Sequence, residues 1–139
     1  MSATRTALRT EMRAGLEAAL PDVNWPKKHW RAVDESSLPR GSVMVQRFDS
    51  TPLDRDTSLR RYDVVAKIER GVAGDLEDLM DADGTALEHH GLTILADLFE
   101  DCEVGAGEYY IDAAGDPPVG TTALLFRVIT RDAEIPPNS

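Results

Sequence analysis

The sequence predicts an α+β fold: a mostly antiparallel β-sheet of about four strands, two main helices packed on one face, and a long protruding hairpin. Three observations predict it. Apolar residues recur at helical spacing in two stretches, 4–20 and 75–98. Four shorter runs, 42–47, 58–70, 108–112 and 121–130, are rich in β-branched and aromatic residues and read as strands. The order is therefore helix, strand, strand, helix, strand, strand, and runs of adjacent strands favour helices segregated to one side of an antiparallel sheet. At 139 residues the chain is expected to form one domain, 1–139, long enough to bury one core but not two.

The first helix, 4–20, keeps Leu8, Met12, Leu16, Ala19 and Leu20 in register, while Arg5, Arg9, Glu11, Arg13 and Glu17 lie mostly elsewhere. Pro21 ends it, because the proline ring cannot continue the hydrogen-bond ladder. Residues 22–41 read as irregular, with Trp25 and Trp30 packed against the edge of the core and Lys27, Lys28, His29 and Arg31 in a solvated loop. The strand 42–47 puts Val43 and Val45 on one face, and 49–57, with Pro52, reads as an exposed hairpin loop. The run 58–70 has the clearest strand pattern. Tyr62, Val64, Ala66 and Ile68 share one face; Arg61, Asp63, Lys67 and Glu69 share the other. At about 3.3 Å per residue it spans roughly 43 Å, so the expectation is an arm that, with its partner, extends past the compact body. Gly71 to Gly74 breaks the strand and Asp75 is the expected N-cap of the second helix. Asp81-Ala82-Asp83-Gly84 and the Gly91 region are expected to kink or interrupt that helix.

The last two strands flank a turn carrying Gly115, Asp116, Pro117 and Pro118. In the second of them Leu124, Phe126 and Val128 point one way, whereas Ala123, Leu125 and Ile129 point the other. A strand apolar on both faces must be covered on both. Ala123, Leu125 and Ile129 are therefore candidates for cover by a neighbouring subunit or by the Trp25/Trp30 segment. Arg55, Arg60 and Arg61, at the hairpin loop and the start of the long strand, are candidate contacts for an acidic partner or simply solvated charges.

Composition narrows the function classes. A formal net charge of −10 disfavours direct, sequence-specific nucleic-acid binding, which needs clustered Lys and Arg. No run of about 18 apolar residues suggests a membrane span, and residues 1–6 lead into a charged amphipathic stretch without a signal-peptide core. A single cysteine, Cys102, excludes an internal disulfide and fits a reducing cytoplasm.

No catalytic, cofactor-binding or metal site emerges from the residues, and no enzyme is expected. Reading Asp81-Ala82-Asp83-Gly84 as a calcium loop puts Leu79 at the first ligand position and His90 at the last, where carboxylates are needed. Adjacent His89 and His90 point about 100° apart on a helix and do not converge on a metal. Cys102 sits among Glu100, Asp101 and Glu103, which raise a thiol's pKa rather than activate it. Gly105-Ala106-Gly107 does not lie between a strand and a helix N-terminus. Gly71-Val72-Ala73-Gly74 does, but lacks the Lys and Ser/Thr of a nucleotide loop.

The layout resembles that of the tail terminator (tail completion) proteins of long-tailed phages and their relatives in prophages and gene transfer agents. The resemblance rests on the amphipathic first helix ending at Leu20, the long strand Tyr62-Asp63-Val64-Val65-Ala66-Lys67-Ile68 and the helix from Asp75. It is strongest in Asp116-Pro117-Pro118-Val119 leading to Ala123-Leu124-Leu125-Phe126-Arg127-Val128. It implies a helix-covered sheet that assembles as a hexameric ring, caps the finished tail tube and offers its other face to the head-tail connector protein. It implies no catalysis, a place at the head-proximal end of the tail in a virion or phage-like particle, and synthesis in the bacterial cytoplasm. A different class is the alternative: a small α+β ligand-binding module or enzyme accessory subunit.

Overall fold

The computed structural model describes residues 3–26, 35–53, 55, 57–99, 101–115 and 117–132. The elements follow in the order α1 (Ala3–Ala19), a short 3-10 turn (Glu35–Ser37), β1 (Arg40–Pro52), β2 (Ser58–Gly71), α2 (Leu76–Leu98), β3 (Asp101–Asp112) and β4 (Val119–Asp132). The four strands form one sheet in the order β1-β2-β4-β3, with every neighbouring pair antiparallel. Both helices pack on the same side of it, as the sequence predicts.

The core lies between the helices and this sheet face. Tyr62, Val64, Ala66 and Ile68 from β2 and Leu124, Phe126 and Val128 from β4 are buried there. They meet Leu8, Met12 and Leu16 from α1 and Leu87 and Leu95 from α2. The period-2 pattern of each central strand thus selects the buried face. The predicted first helix and its apolar stripe stand, and the chain leaves it at Leu20, whose N–H still reaches the Leu16 carbonyl at 2.8 Å. Trp25 packs against Gly41 on the helix-covered side, and its Nε1 donates to the Leu20 carbonyl at 3.3 Å. It is therefore core, and not a cover for the opposite face. Trp30, Lys27, Lys28, His29 and Arg31 lie outside the described residues.

Four expectations need correction. The first strand, expected over 42–47, runs from Arg40 to Pro52, so residues 49–52 pair with β2 where a hairpin loop over 49–57 was expected. β2 is one residue longer than the predicted run, 14 residues from Ser58 to Gly71, but β4 pairs with it from Gly71 through to Ser58. The β1–β2 hairpin is thus an integral part of the sheet and not an arm beyond it. The second helix runs unbroken through Gly84 and Gly91. Each glycine faces a ring from the sheet, Tyr109 over Gly84 and Phe126 over Gly91, where a Cβ would collide. At Gly91 the ring is that of the fully buried Phe126, so close helix–sheet approach accounts for the glycine; at Gly84 the nearest atom is the hydroxyl of the half-exposed Tyr109, which has room to move. The 108–112 strand begins earlier, at Asp101, because a register shift between Val104 and Gly107 absorbs the Gly-Ala-Gly segment as a bulge on this edge strand. Asp75 precedes α2 as expected but makes no side-chain capping bond.

A candidate assembly surface

Neither helix packs on the other face of the sheet, and register resolves that face into rows running across the strands. At one end Arg40 of β1 lies opposite Glu69 of β2, which lies opposite Thr121 of β4 and then Tyr110 of β3. Arg40 and Glu69 are both buried and form a 2.8 Å ion pair. The next row holds Ser42, Lys67, Ala123 and Glu108. The middle row is apolar: Met44, Val65 and Leu125 side by side. Beyond it the row is charged, with Arg127 Nε 3.4 Å from Asp63 and Arg127 Nη1 3.7 Å from Glu103. The last row sets Asp49, Arg61, Ile129 and Asp101 together.

The predicted surface residues fall into this frame unevenly. Ala123 and Leu125 are half-buried neighbours lining a shallow depression of about 160 Å³ with Gln46, Val65, Ala106 and Glu108. Ile129, also half-buried, is separated from them by Arg127 and sits instead beside Arg61. Arg61 and Arg55 are exposed. Arg60 is 1% exposed and points to the helix-covered side, so it is not available to a partner at the surface. Its parity with Tyr62 and Val64 carried that signal in the sequence.

A second concavity was not foreseen. It lies between the first two turns of α2 and the end of β3, has a volume of about 340 Å³, and is lined by Glu77, Met80, Asp81, Tyr109, Tyr110 and Ile111. The two tyrosines are 55% and 51% exposed. Glu77 and Asp81 lie one turn apart on one helix flank, a spacing at which like charges repel. Neither makes an ion pair among the described residues. The neighbouring Asp83 faces the other way. Its two carboxylate oxygens accept from Arg70 Nε at 2.6 Å and Nη2 at 2.8 Å, a bidentate pair that holds the guanidinium pKa above its ordinary value. The only clue to this cleft in the sequence was the i, i+4 acidic pair.

Cys102 lies in β3, packed against the core, and its thiol pKa is pushed up by burial first and by Asp101 second. His89 and His90 contact each other edge to face, their ring centroids 4.9 Å apart. Among the described residues no group of three or more His, Cys, Asp or Glu is placed to hold a metal ion. Among the same residues no helix is long and apolar enough to cross a membrane. No protein-family model matches the chain, and no curated protein matches it in sequence.

Proposed function

We propose that the chain is a structural, self-assembling protein of the tail-terminator kind. In this reading it forms an oligomeric ring of about six subunits on the tail tube of a long-tailed phage-like particle and presents its other side to the head-tail connector. The observation that carries the reading is the sheet face without a helix, whose apolar row Met44, Val65 and Leu125 crosses three strands between charged rows. An apolar centre with a charged rim is the usual anatomy of a protein–protein contact. A ring needs one patch on each subunit to meet a different patch on the next, and the exposed Arg55 and Arg61 at the hairpin end supply contacts to an acidic partner.

The test is Leu125→Glu, read by sedimentation and circular dichroism beside the wild type. A folded variant that stays monomeric where the wild type forms a ring supports the reading. Unfolding of the variant assigns Leu125 to the domain's own core. Binding of the wild type to the ends of purified tail tubes tests the tail assignment itself.

The cleft beside α2 favours the second reading, a ligand-binding module or enzyme accessory subunit, because its volume reaches the lower end of small-molecule sites. A wild-type monomer or dimer that does not bind tube ends favours this second reading.

A further inference from the structure

We propose that the α2–β3 cleft receives the arginine row of helix α1 from a second copy of the chain. This rests on the assembly reading and names one subunit contact within it.

Two helices each carry a pair of like charges one turn apart. On α2 the pair is Glu77 and Asp81; on α1 it is Arg9 and Arg13. Both pairs have i, i+4 spacing, which places their side chains about 6 Å apart along one flank. None of the four makes an ion pair among the described residues. Like charges at this spacing repel, only Glu17, one turn beyond Arg13, offsets either pair within its own helix, and each pair is relieved by the opposite pair at the same spacing.

The fold puts the two pairs on opposite flanks of the helix layer. On α1 the buried stripe is Leu8, Met12 and Leu16. Gly15, which packs on Ile94 of α2, lies to one side of that stripe. At 100° per residue, Arg9 and Arg13 lie to the other side and so face away from α2. On α2 the flank toward α1 is marked by Ile94, and the opposite flank by Gly84 under Tyr109. Glu77 and Asp81 belong to the Tyr109 flank, since they line the cleft with it. A subunit cannot bring its own arginines around to its own cleft, so the contact runs from one copy to the next.

The chemistry of the cleft suits arginine in particular. Two carboxylates offer bidentate acceptors, and the exposed Tyr109, on the helix side of β3, offers aromatic surface to a planar guanidinium. With a net charge of −10, copies repel one another overall. A contact that sets the Arg9/Arg13 flank against the Glu77/Asp81 cleft offsets that repulsion locally.

The experiment is a charge exchange, read by sedimentation equilibrium of the full chain. Arg9→Glu with Arg13→Glu in one variant, and Glu77→Arg with Asp81→Arg in another, each weaken self-association by about tenfold or more. Mixed in equal amounts, the two variants re-associate to within a few-fold of the wild type, since each reversed flank then finds its complement. The neutral versions, Arg9→Gln with Arg13→Gln and Glu77→Gln with Asp81→Asn, weaken association less and serve where a reversal unfolds the chain. The proposal is overturned if the wild type assembles and the reversals leave it unchanged, or if the mixture fails to re-associate; assembly then proceeds through another surface. A wild type that stays monomeric at all concentrations and on tail tubes overturns the assembly reading itself.

Discussion

Gly91→Ala tests the main departure of this fold from its sequence pattern. In a solvated helix the substitution stabilises by up to about 1 kcal/mol, because alanine loses less backbone freedom on folding than glycine. In this protein the added methyl meets the ring of Phe126: the Cβ would lie 2.8 Å from Cε1 and 3.1 Å from Cε2, with Cζ closer still. Phe126 is fully buried and has no solvent to move into. Overpacking of that kind costs about 1–3 kcal/mol, so the net effect is a loss of roughly 1–2 kcal/mol. For a chain of this length that is a fall in Tm of about 3–8 °C. Thermal unfolding of four proteins completes a double-mutant cycle: wild type, Gly91→Ala, Phe126→Leu and the pair. In the Phe126→Leu background the ring is gone and Gly91→Ala regains its helical benefit, so its effect changes sign. A wild-type background stabilised by Gly91→Ala refutes the close-approach explanation.

Two further outcomes concern Asp83 and Cys102. Asp83→Asn removes the charge that faces the Arg70 guanidinium and is expected to destabilise the domain by about 1–3 kcal/mol in urea unfolding, measured near neutral pH. Cys102 has a raised thiol pKa, so at pH 8 its thiolate fraction is below that of an unfolded cysteine and alkylation is slower than in urea. The sign for stability follows: as pH rises past the unfolded thiol's pKa the unfolded chain ionises first, and this group's contribution declines until the folded pKa is passed.

The parts of the fold written in local periodicity were legible. Leu8, Met12 and Leu16 mark one helical stripe, and Tyr62 to Ile68 and Leu124 to Val128 mark two strand faces, because burial imposes its period on the chain. What was not legible depended on partners distant in sequence. Gly84 and Gly91 look like helix breaks until Tyr109 and Phe126 are brought over them. The Gly-Ala-Gly segment looks like a loop until β4 pairs on both sides of its bulge. The cleft was invisible for the same reason, since Glu77 and Asp81 are 28 or more residues from the tyrosines that complete it. Arg60 differs: alternation alone assigns it to the buried face, and the reading that grouped it with Arg61 set a charge argument above a geometric one.

The open sheet face also revises what the doubly apolar strand requires. Ala123, Leu125 and Ile129 suggested a broad apolar surface in need of cover, but beside Val65 their neighbours on adjacent strands are Lys67, Glu108, Arg61 and Asp101, and Arg127 separates Leu125 from Ile129 on β4 itself. Charged side chains with long stems already shield part of the apolar area, which is why all three residues are half-buried in a single chain. The apolar row that remains is a few side chains wide, far short of the roughly 800 Å² per partner of a stable interface. Whatever binds this face must therefore bury the ionic rows as well, and those rows fix its orientation while the apolar row supplies most of the favourable desolvation.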